Sequence, residues 1–370
     1  MALISLSTQT MFADLLQRCL GAEFDEEFHS SGIFKRRKRG GKFYWYYKPP
    51  GRDAKERYVG PFTDKSITDR VERFDDIKSD YRDRQRMVRA LTAAGLVPPD
   101  SLTGRLVEAM WQAGFFRLRG VLVGTVAFQA YAGLIGIDVR GRAMQTQDAD
   151  FAQFWGISEN IGESMPPIIE VIRSVDETFK PVTSLNDPFV SARYRNEQGY
   201  FVDTLTPNRG SDEHQGKLAR MKALSNSPAQ PLRHLDYCIH QPERSLLLYG
   251  GGVPVTVPRA ERFAIHKVIV AVNRADQQVK APKDLMQASI LIEALAKQRP
   301  HELAEAFITA WNEGPSWREK LDAGLARLEG SVFDALEDAV GRYLSSRSGK
   351  RREVAEDLPF RDRPKSGRRG

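Results

Sequence analysis

Residues 120–151, GVLVGTVAFQAYAGLIGIDVRGRAMQTQDADF, decide the fold of this chain. The stretch begins with an apolar run at residues 121–123 that is bounded by glycines, a pattern that predicts a buried strand. Gly124 and Thr125 follow, and apolar residues then recur at helical spacing as far as Leu134. A helix that begins at a glycine directs free backbone N–H groups at one point, and such a point suits phosphate. Gly124 and Thr125 are therefore candidate phosphate-binding residues.

The same stretch ends with two carboxylates, Asp148 and Asp150. Residues two apart in a strand share a face, so the two side chains are expected to project together. Neighbouring carboxylates repel each other and need a cation, and oxygen-rich sites suit Mg²⁺ with phosphate oxygens completing its shell. A simple tight turn at the glycine and a solvated acidic loop are the alternatives. The order of strand, glycine, helix and acidic strand favours a phosphate site beside a metal site.

This order of motifs resembles the nucleotidyltransferases of the polymerase-β-like superfamily, in particular the minimal bacterial branch with toxins of abortive-infection and toxin–antitoxin systems. Members carry Gly-Ser or Gly-Thr at a helix start and Asp-x-Asp on the next strand. The resemblance implies an α+β fold whose α/β core holds a mixed sheet. It also implies that Thr146 and a nearby arginine bind the nucleotide. In the family that arginine often lies two residues before the Ser/Thr, where this chain has Met144, so Arg142 is the nearest candidate.

A third carboxylate, Asp203, lies in the return strand of a hairpin that the sequence predicts over residues 188–207. The rest of that strand is largely apolar, and burial of an unpaired carboxylate is costly. A metal shared with Asp148 and Asp150 would offset this cost, whereas a strand-end side chain in water is the alternative. In the family a hairpin strand supplies the third metal-binding acid, and the resemblance favours Asp203.

A second informative block covers residues 258–288, where a proline and helical spacing predict one helix and a Lys-Asp pair begins another. The resemblance implies that Lys267, Arg274 and Lys283 bind the triphosphate and that Asp284 orients or helps to activate the acceptor. A triphosphate that faces carboxylates needs cations on its far side, in agreement with these roles. The alternatives are surface cations and an acid that the helix dipole favours.

The N-terminal region predicts a small antiparallel sheet, with a hairpin turn at residues 40–41 and a third strand at residues 57–59. The first strand is basic and the second is aromatic, a combination that can hold a phosphate backbone and stack bases. A solvated hairpin with an aromatic cross-strand core is the alternative. The candidate nucleic-acid-binding residues are Lys35, Arg36, Arg37, Lys38, Arg39, Tyr44 and Trp45.

The chain divides into four predicted parts. Residues 1–100 hold a short helix, the basic aromatic sheet and a long charged helix, residues 101–258 a nucleotidyltransferase core, and residues 259–345 a C-terminal helical domain. Residues 346–370 are polar and basic, which predicts a disordered tail. The narrow apolar stripe of the long helix either packs on the chain or pairs with a second copy in a homodimer.

Composition limits the class of protein. The 370 residues carry a net charge of +7, which favours a polyanionic partner. Apolar residues make up 41% of the chain, yet no apolar run reaches the roughly 20 residues that cross a bilayer, and the N-terminus lacks a signal-peptide pattern. Two cysteines without metal-like spacing favour the reducing cytoplasm and argue against a disulfide framework or a zinc site.

Together these patterns predict an enzyme that transfers a nucleoside monophosphate from a nucleoside triphosphate (NTP), with Mg²⁺ or Mn²⁺ held by Asp148, Asp150 and Asp203. The basic charge favours RNA as the acceptor, with tRNA ends as one example. Two alternatives stay open: nucleotidylation of a protein, and a non-catalytic nucleic-acid-binding protein with a degenerate transferase core. The toxin-like branch further implies a neutralising partner protein.

Overall fold

Helices and short strands alternate along the chain. The computed structural model describes residues 3–22, 32–49, 55–139, 146–160, 162–182, 191–208, 217–274, 280–346 and 358–359. The helices are α1 Leu6–Ala22, α2 Lys65–Ala93, α3 Ser101–Gln112, α4 Gly124–Leu134, α5 Trp155–Asn160, α6 Ile168–Arg173, α7 Leu235–Cys238, α8 Ala260–Asn273, α9 Lys280–Gln298, α10 Pro300–Trp311, α11 Pro315–Leu325 and α12 Gly330–Ser346. The strands are β1 Ile33–Arg39, β2 Lys42–Lys48, β3 Arg57–Pro61, β4 Val121–Val123, β5 Asp148–Ala152, β6 Lys180–Pro181, β7 Arg193–Arg195, β8 Phe201–Pro207, β9 Ala219–Met221, β10 Ser227–Leu232, β11 Glu243–Leu247 and β12 Val253–Val257.

The central sheet is mixed. The organising stretch forms β4, α4 and β5, as its pattern predicts, and β4 pairs antiparallel with β5. Strand β5 pairs parallel with β8, and β8 pairs parallel with β10. Strands β9 and β7 join β10 and β8 in antiparallel fashion, and β6 extends the sheet beyond β7. A mixed sheet surrounded by helices confirms the predicted α+β fold with its mixed-sheet core.

Alternation along two strands separates apolar from acidic side chains. In β5, Ala149 and Phe151 are fully buried, whereas Asp148 and Asp150 are half-buried. Strand β8 repeats the pattern, with Val202 buried beside a half-buried Asp203. Successive side chains of a strand point to opposite faces, and β5 and β8 are in register. The three acids therefore lie on one side of the sheet.

The C-terminal helices share their apolar core with the sheet. Helix α8 buries Phe263, Val268 and Ile269, the stripe that its helical spacing predicts. One continuous cluster of buried apolar residues runs from α3 through the sheet and α8 to α12. Phe263 of α8 contacts the rings of Phe128 and Tyr131 in α4, and these contacts fix the position of α8 relative to β4 and β5.

The N-terminal region forms the predicted three-stranded sheet, in the order β1-β2-β3, followed by the long helix α2. Gly40 and Gly41 make the hairpin turn with φ of 53° and 77°, values that glycine adopts without steric cost. In the apolar stripe of α2, Val71, Phe74, Val88 and Leu91 are buried within the chain. Leu91 packs in a cluster with Phe12 and Leu15 of α1. Homodimerisation through this helix stays a prediction.

Some predictions fall outside the described residues. They include Arg142, the predicted strand positions 188–190, and all of the predicted tail except residues 346, 358 and 359. Within the described ranges, no helix is both long and apolar enough to cross a membrane.

Candidate functional site

Asp150 lies in the middle of three carboxylates. Its Cα pairs with that of Asp203 across β5 and β8, and Asp148 lies two residues away on the same face. Burial, together with the charges of Asp148 and Asp203, raises the pKa of Asp150 to about 7, although Lys267 and Arg274 oppose the rise. Burial and like charge therefore both disfavour the ionised form of Asp150.

The glycine at the start of α4 is in direct contact with this acid. Gly124 has φ of +69°, a conformation that other residues rarely adopt, and a Cβ at this position would overlap the Asp150 carboxylate. Helix α4 begins here with backbone N–H groups that lack partners within the helix. The first turn of α4 and the carboxylate of Asp150 thus form adjacent walls of one site.

Two threonines predicted to bind phosphate or nucleotide have protein partners in the site. The Thr146 hydroxyl donates to the Asp148 carboxylate and thereby orients it. The buried Thr125 hydroxyl lies 3.4 Å from the Gln287 side-chain nitrogen, which donates to it and links α4 to α9.

Arg193 forms a two-point ion pair with the third acid. Its Nε donates to one Asp203 carboxylate oxygen at 2.8 Å and its Nη2 donates to the other at 2.9 Å. Burial raises the pKa of Asp203, and Arg193 opposes this rise. The Arg193 guanidinium thereby fixes the orientation of the Asp203 carboxylate, and both residues line the cavity of the site.

A triangle of charges, buried at Lys267 and Asp284 and half-exposed at Arg274, connects α8 to α9. Lys267 Nζ lies 2.6 Å from one Asp284 carboxylate oxygen, and Arg274 Nη1 lies 2.9 Å from the other. Lys267 and Asp284 are 6% and 3% exposed, so the pair is shielded from water. Burial by itself raises the pKa of Asp284, but Lys267 and Arg274 outweigh it and hold that pKa below its usual value.

Two further lysines of α9 lie within electrostatic reach of the acids. Burial lowers the pKa of Lys283, and the charge of Asp148 opposes this fall. The charge of Lys280 lowers the pKa of Asp203 and so opposes the effect of burial on that acid. The first turn of α9 therefore adds positive charge beside Asp148 and Asp203.

A cavity of about 1010 Å³ opens between the sheet and α8. Among the described residues it is lined by Gly124, by the acids Asp150 and Asp203, and by cations from β7, from the segments around β9 and β10, and from α8. These cations are Arg193, Lys217, Arg220, Arg233, Lys267 and Arg274. Six cations around two acids suit a polyanion that approaches a cation-binding centre.

Comparison with known proteins identifies the family. The model of a family described as nucleotidyltransferase matches residues 101–312, more than half of the chain. The chain belongs to this nucleotidyltransferase family. The crystal structure of an antigenic nucleotidyltransferase-like protein from Paracoccidioides brasiliensis is similar over 64% of this chain and 100% of that chain, at 14% identity and a TM-score of 0.28, too low to support a structural argument. No curated protein matches the chain.

The family assignment confirms that the protein is an enzyme and that its reaction is nucleotidyl transfer. The matched residues contain the three acids, the glycine of α4 and the charged triangle. The cavity beside β5 and β8 lies within the matched residues and is the candidate active site, whereas β1–β3 lie outside the match.

The acids of the nucleotidyltransferase fit a hard divalent cation. The side chains of Asp148, Asp150 and Asp203 offer only oxygen atoms as metal ligands, the ligand type that Mg²⁺ and Mn²⁺ prefer. Burial and the charges of Asp148 and Asp203 raise the pKa of Asp150, and a bound cation would favour its charged form against both effects. Over the part of the chain that the structure describes, no three His, Cys, Asp or Glu side chains already have the arrangement of a metal site.

Sequence patterns missed several cations of the site. They are Arg193, Lys217, Arg220, Arg233 and Lys280. Arg193 lies on the strand predicted to pair with that of Asp203, but counting outward from a turn at residues 196–199 pairs it with Val202, one residue away from the observed partner. The other cations lie on segments whose approach to the acids depends on tertiary packing, and their local sequence gives no indication of it.

Gly124→Ala is expected to lower the stability of the fold by about 2 kcal/mol or more and to reduce transfer, since it combines left-handed backbone strain with overlap on Asp150. Thermal unfolding followed by circular dichroism measures the first effect. Gly341→Ala is the matched control, because a Cβ there meets nothing within 4 Å and alanine favours a helix interior. Equal stability of the two variants would contradict the close contact.

Proposed function

We propose that this nucleotidyltransferase uses Mg²⁺ or Mn²⁺ to transfer a nucleoside monophosphate from an NTP to RNA. One observation carries the proposal: Asp150 and Asp203 face Lys267 and Arg274 across a single cavity that begins at the N-terminus of α4. The triphosphate of a bound NTP would lie between the acids, with their metal, and the cations of α8. The arrangement supports transfer chemistry that depends on positioning and on neutralisation of charge.

Asp148, Asp150 and Asp203 would hold the metal. When bound, it supplies charge neutralisation at the reacting phosphate and at the leaving pyrophosphate. The backbone N–H groups at Gly124 and Thr125 would bind phosphate oxygens, as helix N-termini do. The hydroxyl of Thr146 keeps Asp148 directed into the site.

Asp284 supports the proposal as a positioning residue. Both of its oxygens accept from cations, so it holds Lys267 and Arg274 at the cavity wall, where they would bind the triphosphate. A carboxylate whose pKa is held low is a weak proton acceptor. This role differs from activation of the acceptor, which the family resemblance left open for Asp284.

RNA is the acceptor that the charge of the site favours. Arg193, Lys217, Arg220 and Arg233 line the cavity in addition to the cations of α8, and the whole chain has a net charge of +7. Each of these charges strengthens the binding of a polyanionic acceptor such as RNA, but not that of a typical protein acceptor. The predicted neutralising partner and toxin role follow from the resemblance alone and stay predictions.

A labelling assay tests the proposal. The purified enzyme is incubated with Mg²⁺ and each α-³²P-labelled NTP in turn, with total RNA and total protein as acceptors. We expect label on RNA that disappears with EDTA and in the Asp148→Ala/Asp150→Ala variant. Glu197→Ala, an exposed acid in the turn before β8, is the matched control and should label normally.

Other outcomes of the assay select the alternatives. Label on protein alone would replace RNA by a protein acceptor. Retained label in the Asp148→Ala/Asp150→Ala variant would contradict the assignment of the acids. Bound RNA without label under any condition would support a nucleic-acid-binding protein with an inactive core.

A further inference from the structure

The small sheet β1–β3 has one face covered by the chain. On this face Tyr47 is fully buried, and the Phe34 ring lies 4.8 Å from that of Phe74 in α2. Trp45 Nε1 donates to the Thr68 hydroxyl at 3.1 Å. Trp45, which the sequence analysis grouped with the nucleic-acid-binding residues, therefore contributes to the packing of α2 on the sheet.

The opposite face carries three tyrosines in a cluster. The ring centroid of Tyr58 lies 5.9 Å from that of Tyr44 and 5.6 Å from that of Tyr46. Tyr58 is 58% exposed, which is unusual for a ring that is there only to pack. Because side chains alternate along a strand, these rings share their face with alternate cations of β1. We call Lys35, Arg37, Arg39, Tyr44, Tyr46 and Tyr58 the tyrosine face.

The cations of the tyrosine face are interleaved with its rings. Lys35 pairs in register with Tyr46, and Arg37 with Tyr44. The Arg39 guanidinium carbon lies 5.4 Å from the Tyr46 ring centroid. Glu56 pairs with Arg37 at 2.6 Å and with Lys35 at 3.5 Å. Among the described residues of this face, three cations stand against this one acid and leave the face positive.

We propose that the tyrosine face binds single-stranded nucleic acid and, in the enzyme, holds a single-stranded part of the acceptor. Exposed rings stack on bases of any sequence, and cations between them meet the phosphates. Bases in a duplex are already stacked on each other and present only their edges, so a single strand fits this face and a duplex does not. The binding half of the proposal is independent of the catalytic site. The acceptor half rests on the proposed function.

Fluorescence anisotropy with the full-length chain and no NTP tests the binding. The probe is a labelled single-stranded RNA of about 12 nucleotides, and the competitors are single-stranded DNA of the same sequence and the RNA duplex. Tyr58→Ala is expected to weaken binding about tenfold, because it removes one stacking platform. Tyr58→Phe keeps the ring and should bind as the wild type does.

A charge comparison separates the two faces of β1. Arg39→Ala is expected to weaken binding and to lower the slope of log affinity against log salt by about 0.7, the loss of one phosphate contact on a single strand. Lys38→Ala is the matched control, since Lys38 is an equally exposed neighbour that lies over Phe43 on the other face. Tyr58→Ala should leave the salt slope unchanged.

The proposal is overturned if Tyr58→Ala and Arg39→Ala both bind as the wild type does, if Lys38→Ala weakens binding as much as Arg39→Ala, or if the duplex competes better than the single strand. Circular dichroism checks that each variant is folded. If Tyr58→Ala does not fold, the comparison of Arg39→Ala with Lys38→Ala tests the proposal. If the wild-type enzyme binds the single-stranded RNA through the tyrosine face but labels no RNA in the transfer assay, the binding half is upheld and the proposed function is refuted. A normal acceptor KM for Tyr58→Ala in an active enzyme would refute the acceptor half alone.

Discussion

Asp150→Asn is expected to abolish nucleotidyl transfer, by at least about 10³-fold, while the metal-free protein becomes more stable. Burial and two neighbouring carboxylates raise the pKa of Asp150 to about 7. The charged form of Asp150 therefore destabilises the metal-free folded state. The amide keeps the shape of the side chain and removes that charge. Since one pKa unit corresponds to about 1.4 kcal/mol, partial relief is already measurable in thermal unfolding.

The same variant separates metal binding from folding. Mg²⁺ should raise the unfolding temperature of the wild type, because a ligand that binds only the folded state stabilises it. It should have a much smaller effect on Asp150→Asn. Glu197→Gln, a neutralised acid outside the site, should respond to Mg²⁺ as the wild type does. An active Asp150→Asn enzyme, or one that is destabilised and still responds fully to Mg²⁺, would contradict the assignment.

Asp284→Ala is expected to destabilise the fold by about 3–5 kcal/mol. It removes the partner that lies 2.6 Å from the Lys267 ammonium, and Lys267 is only 6% exposed. Urea unfolding measures the loss. Glu163→Ala is the matched control, because its pairing with Arg117 is exposed and exposed pairs contribute at most about 1 kcal/mol.

A second variant shows whether the lost stability comes from the buried charge. Lys267→Met/Asp284→Leu removes the buried pair together and should recover most of the stability, yet NTP binding should stay weak. A stable Asp284→Ala protein that binds NTP normally and loses only kcat would contradict the positioning role. It would instead favour a direct role in activating the acceptor.

The pH dependence of this pair has a definite sign. The folded-state pKa of Asp284 lies below its ordinary value of 3.8. Its ion pair therefore contributes stability above pH 3.8 and loses that contribution as the pH falls through the lower folded-state value. The difference in unfolding free energy between the wild type and Asp284→Asn should shrink over that acidic range.

Local chemistry in the sequence determined a large part of this protein. The period of two placed Asp148 and Asp150 on one face of β5. The glycine between an apolar strand and a helix marked the start of α4, where Gly124 adopts a positive φ, and Gly40 and Gly41 predicted the first hairpin. Each of these features depends on residues close together in the chain, so its signal is contained in a short window.

Only the tertiary structure decided how these elements meet. The parallel register of β5 and β8 brings Asp203 beside Asp150, and the packing of α8 on α9 brings Lys267 and Arg274 to Asp284. Such contacts join residues far apart in the chain, and many registers and packings satisfy the same local patterns. The small sheet β1–β3 is a further example. Alternation along its strands defines two faces, but only the packing of α2 determines which face is covered and which stays exposed.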